Sequence, residues 1–259
     1  MKRTLALLSA IGITLLLGHS IYSQTVSRAD IKKQIELKLA ESELKRAELS
    51  ALEEQFLAPS ENDREAYALL LSQPDSGMIR LLPREKFDSE VYKQNTKTLS
   101  IRGGGAYYSF TRLSHEYGAG SDLALDNGYL SVGFAGADYG MLLKLGQVQL
   151  TDVTVEYPGV KYLATYEAAA SEPEARIEQR RFGSTGTEID GSIFKGTVPL
   201  EVGSSYILRS VNFDRSDLLV AFQVVRKDDD GSAIIAWRLL KKYPMPTLTK
   251  PKIAESIIR

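Results

Sequence analysis

Val220 to Leu240 reads VAFQVVRKDDDGSAIIAWRLL. Two runs rich in β-branched and aromatic residues flank an acidic turn that closes on glycine, the pattern of a β-hairpin. Counting outward from a two-residue turn at Asp230-Gly231 sets Val224 opposite Trp237 and Phe222 opposite Leu239. The other face then carries Ala221, Val225, Ala236 and Leu240, with Gln223 beside Arg238. Both faces are largely apolar, so this hairpin is expected at the centre of the molecule, covered on both sides.

The same grammar extends upstream. Asn127-Gly128 is a type I′ signal that pairs Leu125 with Leu130 and Leu123 with Val132, four side chains on one face. Pro158-Gly159 suggests a further turn, with Val155 opposite Tyr162 and Glu156 opposite Lys161. One helix interrupts the strands near 172–182, capped by Ser171, with Pro173 and Glu174 in its first turn and Ala175 and Ile177 as its apolar residues. From about 78 to 245 the chain therefore predicts an antiparallel β-sandwich or barrel-like body, a mainly β fold. Pro244, Pro246 and Pro251 make 246–259 an extended, loosely held tail.

Residues 24–77 have a different period and predict two helices, an N-terminal helical hairpin. The first runs to Leu57 without Gly or Pro, capped by Ser27 with Asp30 three residues on. Leu37, Ala40, Leu44, Ala47 and Ala51 fall on one stripe, a surface for packing or self-association. Ser60 and Asp63 form the capping box of the second, and Pro74 to Gly77 ends it.

Ahead of these, Lys2 and Arg3 precede the apolar run Leu5–Leu17, and residues 18–23 are more polar. That is the layout of a secretory signal peptide over residues 1–23, cut near Ser20 or Ser23. The apolar run is short for a bilayer span, so membrane contact is expected only where the segment stays uncleaved. The full chain holds 32 basic and 33 acidic residues. Loss of residues 1–23 removes Lys2 and Arg3 and leaves 30 against 33, a net charge of -3. It also removes His19, so His115 becomes the sole histidine. A weakly acidic balance excludes broad nucleic-acid binding. The absence of cysteine excludes disulfides, lipid attachment at the cleavage site and cysteine–zinc sites.

Chemistry concentrates in Arg102–Asp122, RGGGAYYSFTRLSHEYGAGSD. Gly103–Gly105 have no helix directly after them, so they read as a bulge or tight connection and not as a phosphate loop. His115 with Glu116 or Asp122 is the catalytic candidate set, an acid/base pair with Ser114 or Ser121 as nucleophile. Adjacent positions on a strand face opposite ways, so His115 and Glu116 share a substrate only if a loop holds them. Asp228–Gly231 and Asp126–Gly128 lack the ligand spacing of a calcium loop and read as hairpin turns; no metal or cofactor is implied.

Tyrosines beside polar groups recur from Tyr107 to Tyr139, as on peptide or sugar recognition faces. The sequence is thus read as an exported, envelope-associated or secreted binding module, periplasmic or secreted, for a protein or carbohydrate ligand. Its contact face would be loops 102–140, with Arg102, Tyr107, Tyr108, His115, Tyr117 and Tyr139 as binding residues. A cofactor-free hydrolase using His115 is the alternative; helix-mediated assembly is the third reading.

Overall fold

The computed structural model describes residues 27–249. The expected signal peptide, His19 and the last residues of the tail lie outside them. The described residues fall into two units, one ending at Glu48 and the other beginning at Leu49.

The first unit is the leading part of a long helix, α1 (Arg28–Leu57). Ser27 Oγ accepts the Asp30 amide at 3.1 Å and donates to its carboxylate at 2.7 Å, so the expected cap is present. Glu41 pairs with Lys45 at 2.9 Å and with Lys38 at 3.4 Å; such exposed pairs add only a few tenths of a kcal/mol. Leu37, Ala40, Leu44, Ala47 and Ala51 are all exposed.

The second unit opens with the end of α1, then α2 (Glu61–Ala66) and α3 (Ala68–Leu71). Ser60 caps α2, and Asp63 returns a carboxylate to the Ser60 amide at 3.1 Å, the reciprocal arrangement its spacing predicts. The strands are β1 (Ser76–Leu81), β2 (Tyr107–Tyr108), β3 (Leu123–Asp126), β4 (Tyr129–Ser131), β5 (Tyr139–Gly146), β6 (Thr187–Ile189), β7 (Ser192–Phe194), β8 (Thr197–Pro199), β9 (Ser205–Asn212), β10 (Ser216–Lys227) and β11 (Ala233–Lys242). Short helices α4 (Arg84–Phe87), α5 (Val160–Thr165) and α6 (Glu172–Arg181) lie between them.

All pairings are antiparallel. A five-stranded sheet runs β1-β11-β10-β9-β5, a four-stranded sheet β2-β3-β4-β8, and β6 pairs with β7. Leu125 pairs with Leu130, as the Asn-Gly turn demands. Leu123, Leu125, Leu130 and Val198 of the smaller sheet share a buried cluster with Leu208, Phe222, Ile235 and Trp237 of the larger one. The opposite face of the large sheet is covered by α5, α6 and the Leu150–Asp152 turn, through Leu150, Leu163, Ala175 and Phe182. Both larger sheets are open, the five-stranded one ending at β1 and β5, so the body is not a closed barrel. Helix and strand occupy similar shares of the chain; the body is sheet-rich, and "mainly β" overstates it.

The β10–β11 hairpin is central, but its register differs from the two-residue count. Phe222 faces Trp237, Val224 faces Ile235 and Gln223 faces Ala236. The Asp228 amide donates to the Ser232 carbonyl, which lengthens the loop by one residue, and an irregularity between Val224 and Arg226 adds a second shift. One slip would turn every side chain over; two restore the faces, so Val220, Phe222, Val224 and Trp237 still share one core.

The hairpin expected at Pro158-Gly159 is absent. Gly159 at φ +81° starts α5, where Val160, Leu163 and Ala164 are buried at helical spacing; that apolar set outweighs the period-two pattern. α6 has the expected Ser171–Glu174 cap and buries Ala175, whereas Ile177 points to solvent. The tail is held as far as Thr249, since the amides of Asp214 and Thr249 donate to Pro246 and Ala170 carbonyls, each at 2.8 Å.

Candidate functional site

A cleft of about 550 Å³ lies within the second unit, between the last turns of α1, strand β1 and the loop that follows β2. Arg80 of β1 fixes these parts together. Its guanidinium donates to the Phe56 carbonyl of α1 at 2.7 Å and to Asp230 at 2.7 Å, and lies 4.9 Å from the Phe56 ring centroid. Glu53 of α1 accepts the amide and the hydroxyl of Ser100, the latter at 2.6 Å, which holds the far wall. Leu57 and Ile79 are buried in the floor, while Glu54, Arg64 and Leu113 stand exposed at the rim.

The loop after β2 is pinned by a bridge between Ser109 and Ser114. Closing it forces Leu113 to φ +52°, a left-handed conformation that a leucine rarely adopts, while leaving its side chain 62% exposed. His115 follows, and its Nε2 lies 2.8 Å from the Arg80 carbonyl oxygen. A carbonyl only accepts, so Nε2 carries the proton and Nδ1 is left as an acceptor. Burial holds the imidazole below its ordinary range, opposed by the bond to Arg80. At neutral pH the ring is uncharged. Tyr108 packs against it edge to face at 5.1 Å.

The other sequence candidates lie elsewhere. Glu116 is exposed and paired with Arg112 at 2.9 Å. Asp122 is buried and accepts three hydrogen bonds, from Ser210 Oγ at 2.6 Å, Asn212 Nδ2 at 2.7 Å and the Phe110 amide at 2.8 Å. Burial pushes its carboxyl up to about 6 against these donors. It joins β9 to the chain leading into β3, and among the described residues no hydrogen bond links it or Glu116 to His115. Ser121 Oγ donates to the Glu116 carbonyl.

The aromatic candidates do not form one exposed face. Tyr107 is buried, edge to face with Tyr117 and Phe134, and Tyr108 is buried between Phe110 and His115. Tyr139 is buried in the other cluster, where its hydroxyl meets that of Tyr166 at 2.8 Å. Burial raises all three phenols, Tyr108 to about 12. Arg102 is exposed, bonded to Glu90 at 3.2 Å and lying over the Tyr117 ring. Of the six, Tyr108 and His115 reach the cleft. Gly103–Gly105 form a turn in which all three have positive φ, and Gly104 lies directly against the Phe87 carbonyl. That contact leaves no room for a β-carbon, so the glycine run is a close approach of backbones.

Ser50, Glu53, Glu54, Arg64 and Ser100 also line the cleft, from helices and a loop that carry no motif pointing to His115. Chemically, the cleft offers hydroxyls, a neutral imidazole acceptor, carboxylates and one guanidinium around an apolar floor. The Nε2 proton goes to a backbone carbonyl and Nδ1 has no hydroxyl donor among the described residues, so no nucleophile–base pair is assembled. Comparison with protein-family models, with curated proteins and with solved structures gives no match.

Proposed function

We propose that this chain is an exported binding or interaction module whose body is a sandwich of the five- and four-stranded sheets, and that it takes its ligand in the cleft beside His115. Leu113 carries the reading. A large apolar side chain stands exposed at the rim of a concave site, on a backbone conformation that a leucine adopts only at a cost. Retained strain of this kind collects where a side chain meets a ligand. The volume and the mixed lining fit a small organic group or part of a larger ligand. Hydrolysis by His115 is the weaker reading, because its expected carboxylates lie elsewhere and no serine hydroxyl bonds to its free Nδ1 among the described residues.

An NMR screen of small organic fragments against the labelled protein tests this. Hits are expected to shift the amides of Ile79, Ser100, Ser114 and His115, and to weaken in Leu113→Gly. Fragments that gather elsewhere and leave these amides unmoved would defeat the reading. The export part rests on the leader pattern, and mass spectrometry of the mature N-terminus tests it: a start between Ser20 and Gln24 is expected, and an intact Met1 in an envelope fraction would indicate an uncleaved anchor.

Assembly through α1 is a second reading, favoured by the exposure of Leu37 and Leu44 on one stripe. Sedimentation of wild type beside Leu37→Glu/Leu44→Glu decides it. A self-associating chain becomes monomeric in the variant; a wild-type monomer removes this reading.

A further inference from the structure

Strand β1 is an edge of the five-stranded sheet, and the cleft runs along that edge. Met78 and Ile79 point to opposite faces of the strand and pack against different core clusters, yet both line the cleft. A groove meets both faces of one strand only where it passes along the strand's side.

The phase of the hydrogen bonds says which backbone groups stand there. Leu239 donates its amide to the Asp75 carbonyl at 2.8 Å, and Gly77 lies opposite Trp237, Ile79 opposite Ile235. In an antiparallel pair, bonded and non-bonded positions alternate, so the odd-numbered residues of β1 bond to β11. The even-numbered ones turn their N–H and C=O outward. The Arg80 carbonyl is already taken by His115, and just past the end of β1 the Leu82 amide is taken by the Gly105 carbonyl at 3.1 Å. The N–H and C=O of Met78 and the N–H of Arg80 have no partner among the described residues.

We propose that the ligand of this cleft is an extended peptide segment of a partner protein, added to β1 as a sixth strand. This rests on the binding reading above and narrows it. An unpaired strand edge is normally blunted or covered, and its amides and carbonyls are what an added strand recognises. Met78 supplies one complete antiparallel pair, a donor and an acceptor, and Arg80 a further donor. His115 and Gly105 close the edge beyond Arg80, so the added strand is centred on Met78 and extends past Ser76. A peptide suited to this place has no proline opposite Met78 and an apolar side chain facing Leu57 and Leu113. It also carries charged residues for Glu54 and Arg64, which stand exposed at the rim.

The test uses an array of random-sequence synthetic peptides, followed by amide hydrogen exchange of the full chain with a binding peptide. Exchange at Met78 and Arg80 is expected to slow by about tenfold or more, and N-methylation of the peptide residue opposite Met78 to weaken binding by about tenfold or more. Met78→Pro removes the outward N–H without touching the ladder to β11, and is expected to abolish peptide binding. Should that variant not fold, exchange in the wild type decides alone. Peptide binding with exchange at Met78 and Arg80 unchanged overturns the strand proposal and leaves the cleft reading in place. So does a protein that binds fragments in the cleft but no peptide. A protein that binds neither overturns both.

Discussion

Asp217→Ala tests the buried architecture behind the site. Arg209 lies in the middle of β9 with 1% of its surface exposed. Its guanidinium meets Asp217 through two hydrogen bonds, Nε to Oδ1 at 2.6 Å and Nη2 to Oδ2 at 2.8 Å. A third goes to the Leu163 carbonyl at 2.7 Å, which anchors α5 to the sheet, and the Tyr243 ring lies against the guanidinium plane at 3.2 Å. Removing the carboxylate leaves an arginine charge that cannot reach water. A buried pair broken on one side costs about 3–5 kcal/mol. That is a large share of the roughly 5–15 kcal/mol by which domains are stable. At roughly 2–4 °C per kcal/mol for a body of this size, the melting temperature should fall by roughly 6–20 °C. Replacing both partners, Arg209→Met with Asp217→Leu, removes the charge together with its counter-charge and should recover most of the loss. Urea unfolding of the two single variants and the double variant gives the values directly. A loss below about 1 kcal/mol for Asp217→Ala, or a double variant as unstable as the sum of the singles, would refute this account of the pair.

Three further outcomes are expected. Trp237→Ala should cost about 3–5 kcal/mol in urea unfolding, because the indole fills the cluster between the sheets, packs on Phe110 at 5.1 Å and covers Gly77; a red-shifted, readily quenched wild-type fluorescence would count against it. Leu113→Gly should raise stability by about 0.5–1 kcal/mol, since left-handed strain of about 1–2 kcal/mol exceeds the entropy cost of glycine, while fragment binding weakens. Stability should fall on acidification below the ordinary histidine range of about 6.5, because burial depresses the folded-state value of His115 and the unfolded chain takes up the proton first. Asp122 works in the opposite sense, its raised carboxyl favouring the folded state below about 6, so the His115 contribution is read as the difference between wild type and His115→Gln across a pH series.

Legibility in the sequence followed the range of the interactions involved. Asn127-Gly128 fixed its own register because a two-residue turn leaves no freedom. The Asp228–Ser232 loop concealed an extra residue and a compensating irregularity, neither of which has a local signal, yet the alternation of Phe222, Val224 and Trp237 kept the faces right. Pro158-Gly159 has the form of a hairpin turn, yet the helical spacing of Val160, Leu163 and Ala164 prevails and buries them in α5. Arg209 did have a signal. A lone charge inside YILRSV must find a counter-charge, and Asp217 stands on the next strand of the same hairpin. The cleft was hidden because its walls come from Glu53, Ile79, Ser100 and His115, brought together only by the fold. Tyr107, Tyr108 and Tyr139 have the composition of a display face, and their burial makes them packing residues instead.

Whether His115 closes the strand edge beside the cleft by donating its Nε2 proton to the Arg80 carbonyl has one direct test. If the leader is cleaved as expected, the mature chain holds a single histidine, so the imidazole nitrogens can be followed by NMR without ambiguity. A neutral ring at neutral pH is expected, with the proton on Nε2 and titration below the ordinary value for histidine. An imidazolium at neutral pH, or a proton on Nδ1 with Nε2 free to accept, would contradict it.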